Sequence, residues 1–184
     1  FVALMGAGLA ASTAACQAQP SGKTYAYVGS WTQGPFGTGG GGGISVFEVD
    51  VNDGSLAQLG HTGPEFDDMN AGFLAISADG RFLYSTEEVK DLNEEAGAGG
   101  GIFSFAINPE NGSLTYMNSQ PSMGVNPAYI VIDPTGSLLL AANHANYDPT
   151  VTIVEKDGVA EVQKVYDDAT VAMFPLLPDG TLAP

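Results

Sequence analysis

The feature that most constrains the fold of this chain is an internal repeat. Residues 43–56 run from an apolar segment to a Gly-Ser-Leu turn, and residues 101–114 repeat the pattern 58 positions later. A further copy occupies residues 170–182. A second pattern, residues 73–84, returns 56 positions later at residues 129–140. Such a chain folds as an array of similar units, each of which buries its apolar faces against its neighbours.

Each repeat contains four short strands. In the second copy we predict strands at residues 72–77, 81–86, 101–107 and 113–118. Apolar residues alternate along them with the period of a strand. The pairs Asp79-Gly80 and Asn111-Gly112 accept the backbone angles of tight hairpin turns. Four antiparallel strands in a repeat of this length are typical of a β-propeller blade.

The sequence therefore predicts an all-β fold, a β-propeller of four-stranded antiparallel blades. About three blades are present, whereas roughly four to eight blades close a ring, so we expect the chain to be a fragment of a longer protein. The first blade is expected to begin at residue 25 with its second strand and to lack an innermost strand. The third is expected to stop near residue 182, where its fourth strand begins.

The first 20 residues differ in character from the repeats. Residues 1–15 carry no charge and lead through small residues to Cys16, the only cysteine. This pattern is typical of a secretory signal, and small residues before a cysteine also resemble a bacterial lipoprotein signal. We predict one of these signals over residues 1–20, a partial propeller domain over residues 21–184, and export to the periplasm, the outer surface or the medium. A lipid on Cys16 would be the only link to a membrane.

The charge balance limits the partners of the chain. Five Lys and Arg residues against 21 Asp and Glu residues give a formal net charge of −16. Such a surface repels phosphate groups, which argues against nucleic acid and against docking on anionic lipid. One cysteine and two widely separated histidines form no metal-ligand pattern. We therefore predict no metal and no cofactor.

Functional side chains are expected on one face of the propeller. The loops between the second and third strands of the blades are long, residues 31–42, 87–100 and 144–169, and a hairpin is predicted within the last of them. These loops emerge on the same face as the connections between blades, and function concentrates in such loops. The repeat places five candidates in register there: Trp31, Glu87, Asn126, Asn143 and His144.

The candidates can be interpreted as functional or as structural. His144 could act as a general base, or it could be a loop histidine bonded to backbone. Glu87 could be a channel-facing acid or base, or part of a solvated acidic loop. Asn143 could orient a substrate carboxylate, or it could close the turn at the end of its strand.

Three passages resemble the lactonase family of seven-bladed propellers. They are residues 27–32 (YVGSWT), residues 74–84 (LAISADGRFLY) and the stretch from Asn126-Pro127 to Asn143-His144. The resemblance implies seven blades, of which this chain would hold about three. Two positions depart from the family pattern: Tyr129 stands where a histidine is common, and His144 stands where a tyrosine is common.

The resemblance also implies a function. We expect hydrolysis of a small sugar-type lactone, such as 6-phosphogluconolactone, without a cofactor. In that interpretation Glu87 and His144 are catalytic, and Asn143, Trp31 and Asn126 bind the substrate. Two alternatives remain open: an enzyme that forms muconate-type lactones, and an exported propeller that binds or scaffolds without catalysis.

Overall fold

The structure is a computed structural model, and it describes residues 2–4, 22–34, 37–145, 149–166 and 168–184. In chain order the strands are β1 (Val2–Leu4), β2 (Thr24–Gly29), β3 (Gln33–Gly34), β4 (Gly37–Thr38), β5 (Ile44–Val49), β6 (Leu56–His61), β7 (Leu74–Ile76), β8 (Phe82–Glu87), β9 (Gly101–Ile107), β10 (Leu114–Pro121), β11 (Pro127–Ile132), β12 (Leu138–Asn143), β13 (Thr150–Lys156), β14 (Val159–Val165) and β15 (Thr170–Pro175). All the ladders between these strands are antiparallel. The all-β prediction is confirmed.

Blade two shows the repeat most completely. Its four strands lie in the spatial order β7-β8-β9-β10, which is also their order in the chain. The predicted range of β9 is the observed one, and the other three strands end within three residues of their predicted limits. The predicted turns hold because Gly80 and Gly112 adopt φ values of 72° and 73°, a region that glycine reaches at little cost.

Blade one differs from the prediction at its inner edge. Its order is β1-β2-β5-β6, so β1 supplies the innermost strand that we expected to be missing. The residue pairs are Val2 with Val28, Ala3 with Tyr27 and Leu4 with Ala26. The expectation was wrong because β2 offers a row of unpaired backbone groups that any short extended segment can satisfy. Cys16 lies outside the described residues, so the export signal stays a prediction.

Blade three has three strands in the order β11-β12-β15, followed by a single bridge between Leu176 and Leu182. The predicted hairpin is confirmed: β13 and β14 form a separate two-stranded sheet within the loop from β12 to β15. Apart from the half-buried Val154, its side chains are exposed.

Helical structure in the described residues is limited to two 3₁₀ turns. One, Leu92–Glu94, lies in the loop between β8 and β9. The other, Pro64–Phe66, begins at a proline and buries Phe66 between blades one and two. Across the described ranges, no helix has the length and apolar character needed to span a membrane.

Buried tyrosines connect successive blades by hydrogen bonds. The Tyr27 hydroxyl, on β2 of blade one, donates to the carbonyl of Gly112 in the last turn of blade two at 2.9 Å. The Tyr84 hydroxyl, on β8 of blade two, donates to the carbonyl of Gly180 in the last turn of blade three at 3.0 Å. Burial raises the pKa of Tyr84 to about 12, so it remains a donor at neutral pH. The same contact thus recurs from blade to blade and aligns their loops.

Candidate functional site

The loops that follow β8 and β12 are held in the same way, and we call the face on which they emerge the upper face. The N–H of Glu88 donates to the carbonyl of Asn70, and the N–H of His144 donates to the carbonyl of Asn126, each at 3.0 Å. Glu88 and His144 are 56 residues apart, as are Asn70 and Asn126. Glu88 and His144 therefore occupy equivalent positions of adjacent blades.

Asn126 stabilises this arrangement of the two loops through its own hydrogen bonds. Its φ of 51° is left-handed, a conformation that asparagine tolerates better than most residues. Its N–H donates to the carbonyl of Val89 at 2.9 Å, and its side-chain amide donates to the carbonyl of Ala145 at 3.2 Å. Asn126 thereby connects the loop that carries Glu88 with the loop that carries His144.

Glu87 lies below the upper face, at the end of β8. Only 8% of it is exposed. The N–H of Asn70 donates to its two carboxylate oxygens at 3.2 and 3.1 Å. Burial raises the pKa of Glu87 to about 7, although the Asn70 N–H acts in the opposite direction. The carboxyl can therefore exchange a proton near neutral pH. It is bonded to the backbone of Asn70 and is not exposed on the upper face.

Glu88, the next residue in the chain, lies near two of the predicted site residues, Trp31 and His144. Oε2 of its carboxylate and Nε1 of Trp31 both lie close to Gly72. Burial raises the pKa of Glu88, and the Trp31 side chain and the electrostatic effect of His144 lower it. Glu88 was not among the predicted site residues, although the repeat sets Glu87-Glu88 in register with Asn143-His144. The repeat offset between Glu88 and His144 was the signal that could have identified it.

A glycine makes room for the contact between Glu88 and Trp31. An ideal Cβ built on Gly72 would overlap Oε2 of Glu88 and would lie 3.1 Å from Nε1 of Trp31. The two side chains therefore meet directly over the Gly72 backbone. Gly72 follows Asn70 by two residues, and its N–H donates to the Asn70 carbonyl at 2.8 Å. Trp31, Gly72, Glu88 and His144 form what we call the upper cluster.

Asn143 is a structural neighbour of this cluster. It ends β12, is 3% exposed, and donates through its side-chain amide to the Ser122 carbonyl at 2.8 Å and to the Thr170 hydroxyl at 3.0 Å. Gly124 packs against it so closely that a Cβ there would lie 2.7 Å from the Asn143 Cβ. Within the described ranges, the Asn143 side-chain oxygen has no hydrogen-bond partner. The amide therefore ties loops together.

The upper cluster has the groups for proton transfer but not for metal binding. His144 is exposed, and Trp31 and Glu88 are half-buried. An imidazole can take up or release a proton near neutral pH, and an adjacent carboxylate can stabilise the imidazolium. No group of three or more His, Cys, Asp or Glu side chains that could hold a metal ion occurs in the part of the chain that the structure describes.

Comparison with known proteins gives a consistent result. The family described as "Lactonase, 7-bladed beta-propeller" matches residues 25–181. A 6-phosphogluconolactonase of Formosa agariphila is 33% identical over 140 residues, which cover 76% of this chain and 35% of that protein. A 6-phosphogluconolactonase of Bacillus subtilis is 29% identical over 142 residues, which cover 74% of this chain and 35% of that protein. The chain thus spans about a third of the length of these relatives.

Solved structures support the fold. A candidate 6-phosphogluconolactonase from Bacteroides fragilis superposes with a TM-score of 0.61 at 24% identity, over 91% of this chain and 36% of that one. The periplasmic gluconolactonase of Pseudomonas aeruginosa superposes with a TM-score of 0.58 at 24% identity, over 88% of this chain and 37% of that one. The fold of this chain is therefore shared with part of each of these structures.

Proposed function

The chain belongs to the lactonase family of seven-bladed β-propellers, and from that premise we propose that it carries part of the site of an enzyme that hydrolyses a sugar-type lactone. One observation carries the proposal. An exposed histidine and an acidic residue stand at equivalent positions on the upper face, with the same 3.0 Å backbone anchors. Acyl transfer to water needs a base at such an open position.

The reaction is a simple acyl transfer. A water oxygen bonds to the lactone carbonyl carbon, and a water proton passes to the imidazole of His144. The bond between the carbonyl carbon and the ring oxygen then breaks, and the imidazolium returns the proton to that oxygen. The product is a hydroxy acid, and His144 ends in its starting state. General base catalysis of this kind contributes about 10²- to 10⁴-fold.

The other predicted site residues take supporting roles in this proposal. Trp31 is half-buried beside Glu88, and an indole face suits the C–H groups of a sugar ring. Asn126 and Asn143 bond to the surrounding loops, so they shape the binding surface rather than contact the lactone. Catalysis by Glu87 remains a prediction from the sequence. Its burial favours a role beneath the site.

The form of the sugar lactone is part of the proposal. The curated relatives are named 6-phosphogluconolactonases, so we propose that substrate first. A site that binds a phosphate group needs cationic side chains, and this chain contributes only five Lys and Arg residues. Lys23 pairs with Glu48 at 2.9 Å and Arg81 with Asp79 at 2.6 Å. An unphosphorylated sugar lactone is therefore the substrate to compare directly with it.

Export is a further part of the proposal. The uncharged, apolar residues 1–15 before Cys16 support it. Because β1 lies within this segment, cleavage of the segment on export would remove β1 and leave β2 as the inner edge of blade one. The similar Pseudomonas aeruginosa protein is named a periplasmic gluconolactonase. That location is compatible with export of the present chain. A lactonase outside the cytoplasm would act on sugar lactones that form or arrive there.

The experiment is a direct assay of acid release. The protein is incubated with glucono-δ-lactone, its 6-phosphate and a muconolactone in a pH-stat, against the spontaneous rate. We expect saturable turnover of a sugar lactone above that rate. Saturable binding without turnover would instead support the binding module, and turnover of the muconolactone alone would support the muconate-type enzyme.

A further inference from the structure

We propose that a cavity between blades two and three binds a small apolar carboxylate through Arg81. The cavity has a volume of about 270 Å³. It opens on the face opposite the upper face, which we call the lower face, because β8 begins there at Phe82 and ends at the upper face with Glu87. The cavity is therefore separate from the proposed lactone site and does not depend on it.

Apolar side chains form most of the cavity wall. They come from the start of β8, the end of β11 and the turn that follows β15: Phe82, Tyr84, Ile132, Leu176, Leu177 and Pro178. The Tyr84 hydroxyl donates to the Gly180 carbonyl at 3.0 Å. An ideal Cβ built on Gly180 would overlap the Phe82 ring. The turn of blade three is thus packed directly on β8 of blade two, which holds the two walls in place.

Arg81 supplies a positive charge at the rim of the cavity. Its Nε donates to Oδ2 of Asp79 at 2.6 Å, and its guanidinium lies 4.7 Å from the centre of the Phe82 ring. These two contacts orient the guanidinium plane. Among the hydrogen bonds of the described residues, none involves the two terminal nitrogens of Arg81. Those nitrogens form the fork that binds a carboxylate through two parallel hydrogen bonds.

Asp79 holds Arg81 in this position. Burial acts to raise the pKa of Asp79, but hydrogen bonds from Ser77 and Arg81 outweigh it and lower the pKa below its ordinary value. Asp79 is therefore ionised at neutral pH and keeps Nε of Arg81 occupied. These two residues are the charged ones in the lining, so the lining is neutral within a chain of formal net charge −16. Because the surrounding surface is acidic, a ligand with a single negative charge and an apolar body fits this cavity best.

The repeat shows that the turn itself does not need the arginine. Blade three has Thr135 and Ser137 at the positions of Asp79 and Arg81, 56 residues later. There Oδ1 of Asp133 accepts the N–H groups of Ser137 and Leu138 at 2.8 and 2.7 Å. The equivalent turn thus forms without a guanidinium. The pair of Arg81 and Asp79 is an addition in blade two, beside the cavity.

Benzoate and benzamide are matched probes, because they share a ring and differ in charge. A ligand-observed NMR titration measures their affinities for the protein. We expect benzoate to bind with a Kd of about 1 mM or lower and benzamide to bind at least about 10-fold more weakly. Arg81→Gln should weaken benzoate binding by at least about 10-fold, and Arg81→Lys by a smaller factor, since an ammonium group offers no fork. Lys23→Gln, which removes a cation paired with Glu48 on blade one, should leave the affinity unchanged.

A second variant tests the cavity while keeping the arginine. Ala78 is an exposed residue of the lining, so Ala78→Leu should obstruct the cavity and weaken benzoate binding at an unchanged unfolding midpoint. Ala57→Leu, at an exposed position of β6, should have no effect. The proposal would be overturned by equal affinities for benzoate and benzamide, by the absence of benzoate binding, or by a benzoate affinity that Arg81→Gln or Ala78→Leu leaves unchanged.

Discussion

Glu87 and Asn143 close the second strands of adjacent blades, 56 residues apart, and they bond in opposite senses. Glu87 accepts the N–H of Asn70, whereas Asn143 donates to the carbonyl of Ser122. Both are at least nine-tenths buried. This position of the repeat therefore holds a loop between blades in each case. The more exposed functional group is on the next residue, Glu88 or His144.

The first prediction concerns the buried proton of Glu87. Burial raises the pKa of Glu87 to about 7 from its ordinary value of 4.5, so the folded protein binds a proton more tightly than the unfolded chain. This contribution to stability is full below about pH 4.5 and is lost as the pH rises through about 7. Relative to Glu87→Gln, the wild type should lose up to about 3 kcal/mol of unfolding free energy across that window.

Denaturant unfolding of both proteins at pH 4.5, 6, 7 and 8 measures this difference. Glu95→Gln serves as the control, because Glu95 is exposed. Parallel stability profiles for wild type and Glu87→Gln would show that Glu87 does not hold a proton in the folded protein.

The second prediction concerns Asn143. Asn143→Ala removes the side-chain donor that serves the Ser122 carbonyl and the Thr170 hydroxyl, and it leaves a small cavity next to Gly124. We expect a loss of about 1–3 kcal/mol of unfolding free energy. Asn52→Ala, at an exposed turn, should change it by less than about 0.5 kcal/mol. Equal stability of the two variants would contradict the structural role of Asn143.

The third prediction concerns Cys16. If residues 1–15 direct export and Cys16 receives a lipid, the wild type should fractionate with membranes and Cys16→Ala should appear in the soluble exported fraction. If the segment is an ordinary secretory signal, both proteins should be soluble and exported. Recovery of either protein from the cytoplasm with residues 1–15 still attached would reject export.

Much of the fold could be predicted from the sequence because its determinants are local. Asp79-Gly80 fixes a tight turn, and the apolar alternation in residues 101–107 fixes a strand whatever lies beside it. The strand β1 could not be predicted in this way. Its three residues pair with β2 because an edge is open there, which is a tertiary property that residues 2–4 do not encode alone.

The candidate site shows the same limit. The repeat places Glu87 and Glu88 correctly at the end of β8, but it does not say which carboxylate faces outward. That depends on where the strand ends. Glu87 is the last residue of β8 and turns into the packed interior, and Glu88 is the first residue that leaves it. The approach of Trp31 and Glu88 to each other beside Gly72, across two blades, has no signature in either local sequence.

The most direct test of the account is the turnover of a sugar lactone by His144→Ala. The matched control is His61→Ala, because His61 is the other histidine of the chain and is exposed on β6 of blade one. We predict that His144→Ala lowers kcat by about 10²- to 10⁴-fold, while His61→Ala keeps the wild-type rate and both variants keep the wild-type unfolding midpoint. Wild-type turnover by His144→Ala would contradict a site on the upper face.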